Sequence, residues 1–217
     1  MKILALEFSS SQRSVAVIDS GNNSASEVAE TSSHHSMKPL DMVEHALQQA
    51  RLEREQIECI AVGLGPGSYT GIRIGIALAQ GWQLAASVKL LGVNSAECVA
   101  AQALADGVGG GFSVVIDAQR EEFYVADYEL VGNQVSERSP LKLATRTEVS
   151  ERDRAGNLLI GPEVTKWFPK GRVIFPRAGM LGRLALLRTD FVTGEKLEPI
   201  YLREASFVKA PPPRVVA

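Results

Sequence analysis

Gly65-Pro66-Gly67-Ser68-Tyr69-Thr70-Gly71-Ile72-Arg73-Ile74-Gly75 links an apolar run, residues 57–63, to a stretch with helical periodicity that extends to about residue 86. The run before it predicts a buried strand and the stretch after it a helix from about Thr70, so the quoted segment is a strand-to-helix loop. Such a loop presents free backbone N–H groups at the positive end of a helix dipole, which makes Gly67, Ser68 and Thr70 a candidate anion site. No lysine follows in the phosphate-loop arrangement, and glycines at 65, 67 and 71 lack the dinucleotide-binding spacing. A tight turn and close packing explain the glycines equally well. The helix carries two apolar rows, one of Ile72, Ile76 and Ala79, the other of Ile74, Leu78, Trp82 and Ala85. One row can cover the chain's own sheet, and the other then needs a neighbouring helix or a partner protein; the spacing does not say which row is which. Gly71, Gly75 and Ala79 recur every four residues and clear a stripe for close helix approach, although each glycine costs about 1 kcal/mol relative to alanine.

Upstream, residues 3–6 and 14–18 predict a hairpin around the serine-rich turn at 9–11, and a more polar third strand spans about 25–31. A helix of about three turns should start at Pro39, with Leu40, Val43, Leu47 and Ala50 on its apolar face and Met42 and Ala46 off it. Downstream come a short strand at 89–93 and a helix to about 105, opened by Asn94 and Glu97 in a capping-box-like pair. The glycine cluster at 107–111 ends it and divides the chain into lobes at 1–107 and 108–217. Beyond that boundary the opening pattern recurs. Ser113-Val114-Val115-Ile116 ends on Asp117 as Ile3-Leu4-Ala5-Leu6 ends on Glu7, a turn follows, and Phe123-Tyr124-Val125-Ala126 resumes as a strand, which suggests a duplicated α/β unit. The rest of the second lobe is thinner, with strands near 158–160 and 173–175, a helix over 178–191 and a stiff Pro211-Pro212-Pro213 tail.

Composition narrows the function classes. At 217 residues the chain can bury a substantial core without disulfides, and Cys59 and Cys98 lie in apolar surroundings that suit buried, reduced thiols of a cytoplasmic protein. No stretch approaches the roughly 20 apolar residues of a membrane span. A formal charge of −2 and a pI near 6.0 will not by themselves draw it onto nucleic acid. His34, His35 and His45 include no pair four residues apart, so a helix-face metal site is not expected. No Gly-x-Ser-x-Gly elbow supports a peptidase. Glu7 and Asp117, at matching strand ends, suggest a small kinase using Mg-ATP, but neither flanking turn contains the glycine that lets backbone reach phosphate. Arg73 and Arg120 are the cations placed to pair with these acids.

Together, Ile3-Leu4-Ala5-Leu6-Glu7, His35-Ser36, the 65–75 segment, Ile116-Asp117-Ala118-Gln119-Arg120-Glu121-Glu122-Phe123-Tyr124 and Pro199-Ile200-Tyr201-Leu202-Arg203 resemble the bacterial TsaB family, also called YeaZ, over nearly the whole chain. The glycine-rich segment is the most specific of these. The resemblance implies an α/β fold of the two-lobed actin-like ATPase (ASKHA) superfold, with duplicated βββαβα-type lobes, the second reduced. It implies a non-catalytic scaffold or activating subunit in the formation of threonylcarbamoyladenosine (t6A) in tRNA. Such a subunit pairs with the catalytic TsaD, is joined by the TsaE ATPase and meets tRNA only through the complex. In that family the first-lobe helices pair with those of TsaD, which puts Leu40, Val43, Leu47, Gly71, Ile74, Gly75, Leu78 and Trp82 at the partner interface. TsaD carries two metal-binding histidines one helical turn apart, a spacing absent here, so no catalytic residue, cofactor or metal is expected. Homodimers should form through the same surface when the partner is missing. Two departures stand out: Glu7 where the family commonly has Asp, and Pro39 with Asp41 at the first helix.

Overall fold

The computed structural model describes residues 1–22, 24–31, 38–132 and 134–202. Three antiparallel strands open the chain, β1 (Lys2–Glu7), β2 (Gln12–Asp19) and β3 (Ser24–Thr31), and β4 (Cys59–Gly63) and β5 (Lys89–Val93) join parallel to β1 in the order β3-β2-β1-β4-β5. The second half builds the same sheet from β6 (Gly111–Asp117), β7 (Glu122–Val131), β8 (Gln134–Thr145), β9 (Leu158–Gly161) and β10 (Arg172–Val173), in the order β10-β9-β6-β7-β8. Replacing β1–β5 by β6–β10 reproduces the first order, so the duplication suggested by two strand-acid-turn-strand patterns extends through both sheets. This is the duplicated two-lobed α/β architecture that the resemblance implies.

Alternation along the strands sets the layers, because successive side chains point to opposite faces. Leu4 and Leu6 of β1 face a core with α1 (Pro39–Ala50) and α2 (Tyr69–Ala85), while Ile3 and Ala5 face α5 (Ala178–Leu186). All five residues of β4 are buried, as expected of a parallel strand covered on both sides. α5 sits unusually close: a Cβ at Gly182 would lie 2.5 Å from Ile18 Cγ1, a contact only glycine avoids. Its first N–H groups are held by the sheet, with Ala178 N donating to Ser14 Oγ at 2.8 Å and Gly179 N to Glu27 Oε1 at 3.1 Å. Helices cross the division at 107. α3 (Ser95–Ala105), from the first half, packs Ala96, Val99, Ala100 and Ala103 on the second sheet, and α5, from the second half, closes the first.

Several expectations need correction. α1 buries Met42 and Ala46, both fully, beside Val43 and Leu47; Leu40, in the first turn at the edge of that arc, remains 57% exposed. The apolar face is therefore rotated from the one read in sequence. β8 and the following α4 (Arg146–Arg154) were not expected at all, and α5 ends at Leu186, short of residue 191. The second lobe keeps the number of strands, though β10 is cut to two residues, and is reduced most in its helices: one turn at Val164–Lys166 stands between β9 and β10, where the first lobe has the 17-residue α2. Glu97 does not close a capping box; Asn94 caps α3 by accepting from Ala96 N, and Glu97 faces Arg188 at 3.7 Å. The tail at 211–213 lies outside the described residues.

After α5 the chain returns to the first lobe. Val192 N donates to Leu90 O at 2.9 Å, Gln80 and Gln83 of α2 bracket Gly194, Leu197 is buried beneath α2, and Ile200 N donates to Leu64 O at 2.9 Å. This strap covers one flank of α2 and leaves the flank toward α1 open.

Candidate functional site

The glycine-rich loop lies directly on the β1–β2 turn. A Cβ at Gly67 would sit 2.1 Å from Ser9 O, and one at Gly71 1.9 Å from Phe8 O. Ser68 N donates to Ser9 O at 2.7 Å, and Ser68 Oγ caps α2 by accepting from Gly71 N at 3.3 Å. Close backbone approach is thus what these glycines provide. Of the three candidate anion ligands, Gly67 and Ser68 line a cleft between the lobes, whereas Thr70 is exposed outside its lining, and the Ser68 amide is already paired.

Glu7 and Asp117 end matching strands but face different surroundings. Glu7 is fully buried, accepting from Ser9 N at 2.8 Å and Ser95 Oγ at 2.9 Å; burial pushes its carboxyl above the usual carboxylate range, and these hydrogen bonds offset only part of the effect. It is absent from the cleft lining, so the Glu7–Asp117 pair with Mg-ATP has no geometric support. Asp117 does line the cleft and accepts from Gln119 N at 2.7 Å in a turn where Gln119, Arg120 and Glu121 all have positive φ. The expected arginine–acid pairing is corrected as well. Arg73 stacks over the Tyr69 ring, 4.4 Å from its centroid, and donates to Tyr201 Oη, while Arg120 is exposed at the turn tip.

His34 and His35 lie outside the described residues, and His45 is exposed on α1. Among the described residues no group of three or more His, Cys, Asp or Glu side chains could hold a metal ion. Cys59 and Cys98 are buried free thiols; burial pushes Cys59 up to about 11 and Cys98 well above its ordinary value, so neither is a ready nucleophile.

The two rows of α2 are resolved by burial. Ile72, Ile76 and Ala79 enter the core, while Ile74, Leu78 and Trp82 are only partly covered. Beside them Ala77, Gly81 and Ala85 are exposed, and with Leu40 of α1 they line a groove of about 460 Å³ whose rim carries the Glu44–Arg54 ion pair. Leu84, at 91% exposure, projects nearby on the last turn of α2. The expected interface therefore divides. Leu40, Ile74, Leu78 and Trp82 are accessible and Val43, though almost wholly buried, lines the groove, but Leu47 turns into the core, and Gly71 and Gly75 meet Phe8 and Val62 of their own lobe. The Gly71-Gly75-Ala79 stripe admits the sheet, not a foreign helix. Ala85, read in the second row, does line the groove; Ala77 and Gly81 were missed, although their four-residue spacing beside Leu78 and Trp82 is visible in the sequence.

A family model described as "TsaD: tRNA N6-adenosine threonylcarbamoyltransferase" matches residues 26–205. The tRNA threonylcarbamoyladenosine biosynthesis protein TsaB of Escherichia coli K12 is 29% identical, the alignment covering 94% of this chain and 95% of that protein. TsaB of Haemophilus influenzae is 26% identical, with 97% and 98% covered. Among solved structures, YeaZ from Pseudomonas aeruginosa superposes with a TM-score of 0.78 at 26% identity, covering 93% of this chain and 99% of that one. No helix among the described residues is long and apolar enough to cross a membrane. With the family model running through both lobes and the relatives aligned from end to end, the chain belongs to the TsaD-related family, on its TsaB (YeaZ) branch.

Proposed function

We propose that this chain takes part in t6A biosynthesis in the cytoplasm as a non-catalytic scaffold or activating subunit, docking a TsaD-like catalytic subunit through the groove between α1 and α2. The observation that carries this reading is the accessible apolar row Ile74, Leu78 and Trp82, bordered by exposed Leu40, Ala77, Gly81, Leu84 and Ala85. Contiguous apolar surface of this kind is a docking feature in a chain that otherwise buries its core well. The relatives' role in t6A biosynthesis supports this pathway, and the burial of Glu7 removes the acid pair on which a kinase reading rests. A TsaE-like ATPase would complete the assembly, tRNA would be met indirectly, through the complex, and the same groove would support a homodimer when the partner is absent. Depletion of this chain should lower t6A in total tRNA, read by nucleoside mass spectrometry, while the purified chain alone transfers no threonylcarbamoyl group. Unchanged t6A on depletion would reject the reading.

A further inference from the structure

At the first-lobe rim of the inter-lobe cleft, Tyr69 and Tyr201 stack with ring centroids 5.7 Å apart and planes 24° from parallel. Arg73 lies over the Tyr69 ring and bonds Tyr201 Oη at 3.4 Å. Both residues are exposed, at 56% and 43%. They are also held in place: the Ser68 cap fixes Tyr69 in the first turn of α2, and the Ile200–Leu64 hydrogen bond anchors the strap beside Tyr201. The cleft below, about 950 Å³, is lined on the same wall by Ser9, Ser10, Ser11 and Arg13. Arg13 makes no side-chain hydrogen bond or ion pair with another described residue. The cleft's acids, Asp117 and Glu163, belong to the second lobe on the opposite wall.

The geometry points to a binding site for an unpaired nucleotide, its base stacked on the Tyr69–Arg73–Tyr201 rim and its phosphate directed to Arg13 on the first-lobe wall. Aromatic rings and guanidinium planes are what unstacked bases settle on, and such stacking tolerates any base because each has a π-face. An Arg unpaired among the described residues, beside the Ser11 hydroxyl, is the complement of a phosphate, whereas the Ser9 and Ser10 hydroxyls are committed to Glu7 and Gln12 O. A core-building role would bury the two tyrosines, and the α1–α2 groove does not include them. The choice of RNA as the source of the nucleotide rests on the proposed t6A role; the shared chemistry, a base bearing a phosphate, is also that of a free mononucleotide.

The test is fluorescence anisotropy of the full chain, without partners, against a labelled eight-nucleotide single-stranded RNA at low salt, with AMP as competitor. Saturable binding that AMP does not displace assigns the site to an RNA strand, and displacement by AMP assigns it to free nucleotide; both support the platform. Tyr69→Ala should weaken binding at least about fivefold, Tyr69→Phe should restore it, and Arg13→Gln should lower the salt slope by about one. Three outcomes overturn the proposal: absence of saturable binding, equal binding by folded Tyr69→Ala, or loss in Tyr69→Ala of catalytic-subunit co-elution with RNA binding intact. Because RNA binding is read on the isolated chain, its failure is separable from failure of the partner reading, which co-elution reports.

Discussion

Replacing Gly63 by alanine probes the buried acid at the centre of the first lobe. The added methyl would lie 2.1 Å from Glu7 Oε2 and 2.6 Å from Glu7 Cδ, far inside van der Waals contact. The carboxyl cannot swing away freely, because Ser9 N and Ser95 Oγ hold its two oxygens and no solvent reaches it. Overpacking costs about 1–3 kcal/mol, and breaking one hydrogen bond to a buried acid adds about 1–3 kcal/mol. Gly63→Ala should therefore lose about 2–6 kcal/mol in urea denaturation. Glu7→Asp withdraws the carboxyl by one methylene, so on its own it leaves a small void worth about 1 kcal/mol and stretches a hydrogen bond to Ser9 N or Ser95 Oγ at a further cost of about 1–3 kcal/mol. In the double variant the methyl occupies that void, and the two changes should couple favourably by about 1–3 kcal/mol. Losses that simply add, to within about 0.5 kcal/mol, would refute the claim that Gly63 exists to admit the longer acid.

Two further outcomes follow from the same packing. Burial raises the folded-state pKa of Glu7 above its ordinary value of 4.5, so the folded protein binds more protons than the unfolded chain. Stability should then fall as pH rises from about 4.5 through the folded value, and Glu7→Gln should flatten that decline in pH-dependent melting; an identical pH slope in both proteins would contradict it. Glu27→Ala removes the carboxylate that accepts from Gly179 N and from Arg177 at 2.6 Å, and should cost about 1–2 kcal/mol while exposing α5 amides to faster hydrogen exchange than those of α3.

Legibility in the sequence followed burial. β4, α2 and β5 were expected at 57–63, 70–86 and 89–93 and are found at Cys59–Gly63, Tyr69–Ala85 and Lys89–Val93, because continuous apolar runs and a glycine-marked boundary leave few alternatives. β8 escaped notice for the opposite reason. As an edge strand it carries Glu137, Arg138 and Pro140 at its middle, where its pairing with β7 is irregular, which leaves the alternating stretch Leu141-Lys142-Leu143 too short to mark a strand. α4 buries only Val149, too little for any helical period, although the capping box formed by Thr145 and Glu148 was there to be read. The glycine stripe on α2 misled because spacing shows where bulk is missing and not which neighbour needs the room. In the fold that neighbour is the Phe8 backbone for Gly71 and the Val62 side chain for Gly75. Tyr201 could not be joined to Tyr69 by any local pattern, since the strap brings together residues 132 positions apart in sequence, a pairing visible only in three dimensions.

The central claim, docking through the open row of α2, is tested most directly by co-purification of tagged Leu78→Glu with the TsaD-like catalytic subunit from native cells, beside the unmodified chain. Leu78 is only partly covered, so the variant should fold and melt like the parent yet lose the catalytic subunit from its eluate. Undiminished co-elution by a folded Leu78→Glu protein would contradict the account and return α2 to a purely internal role.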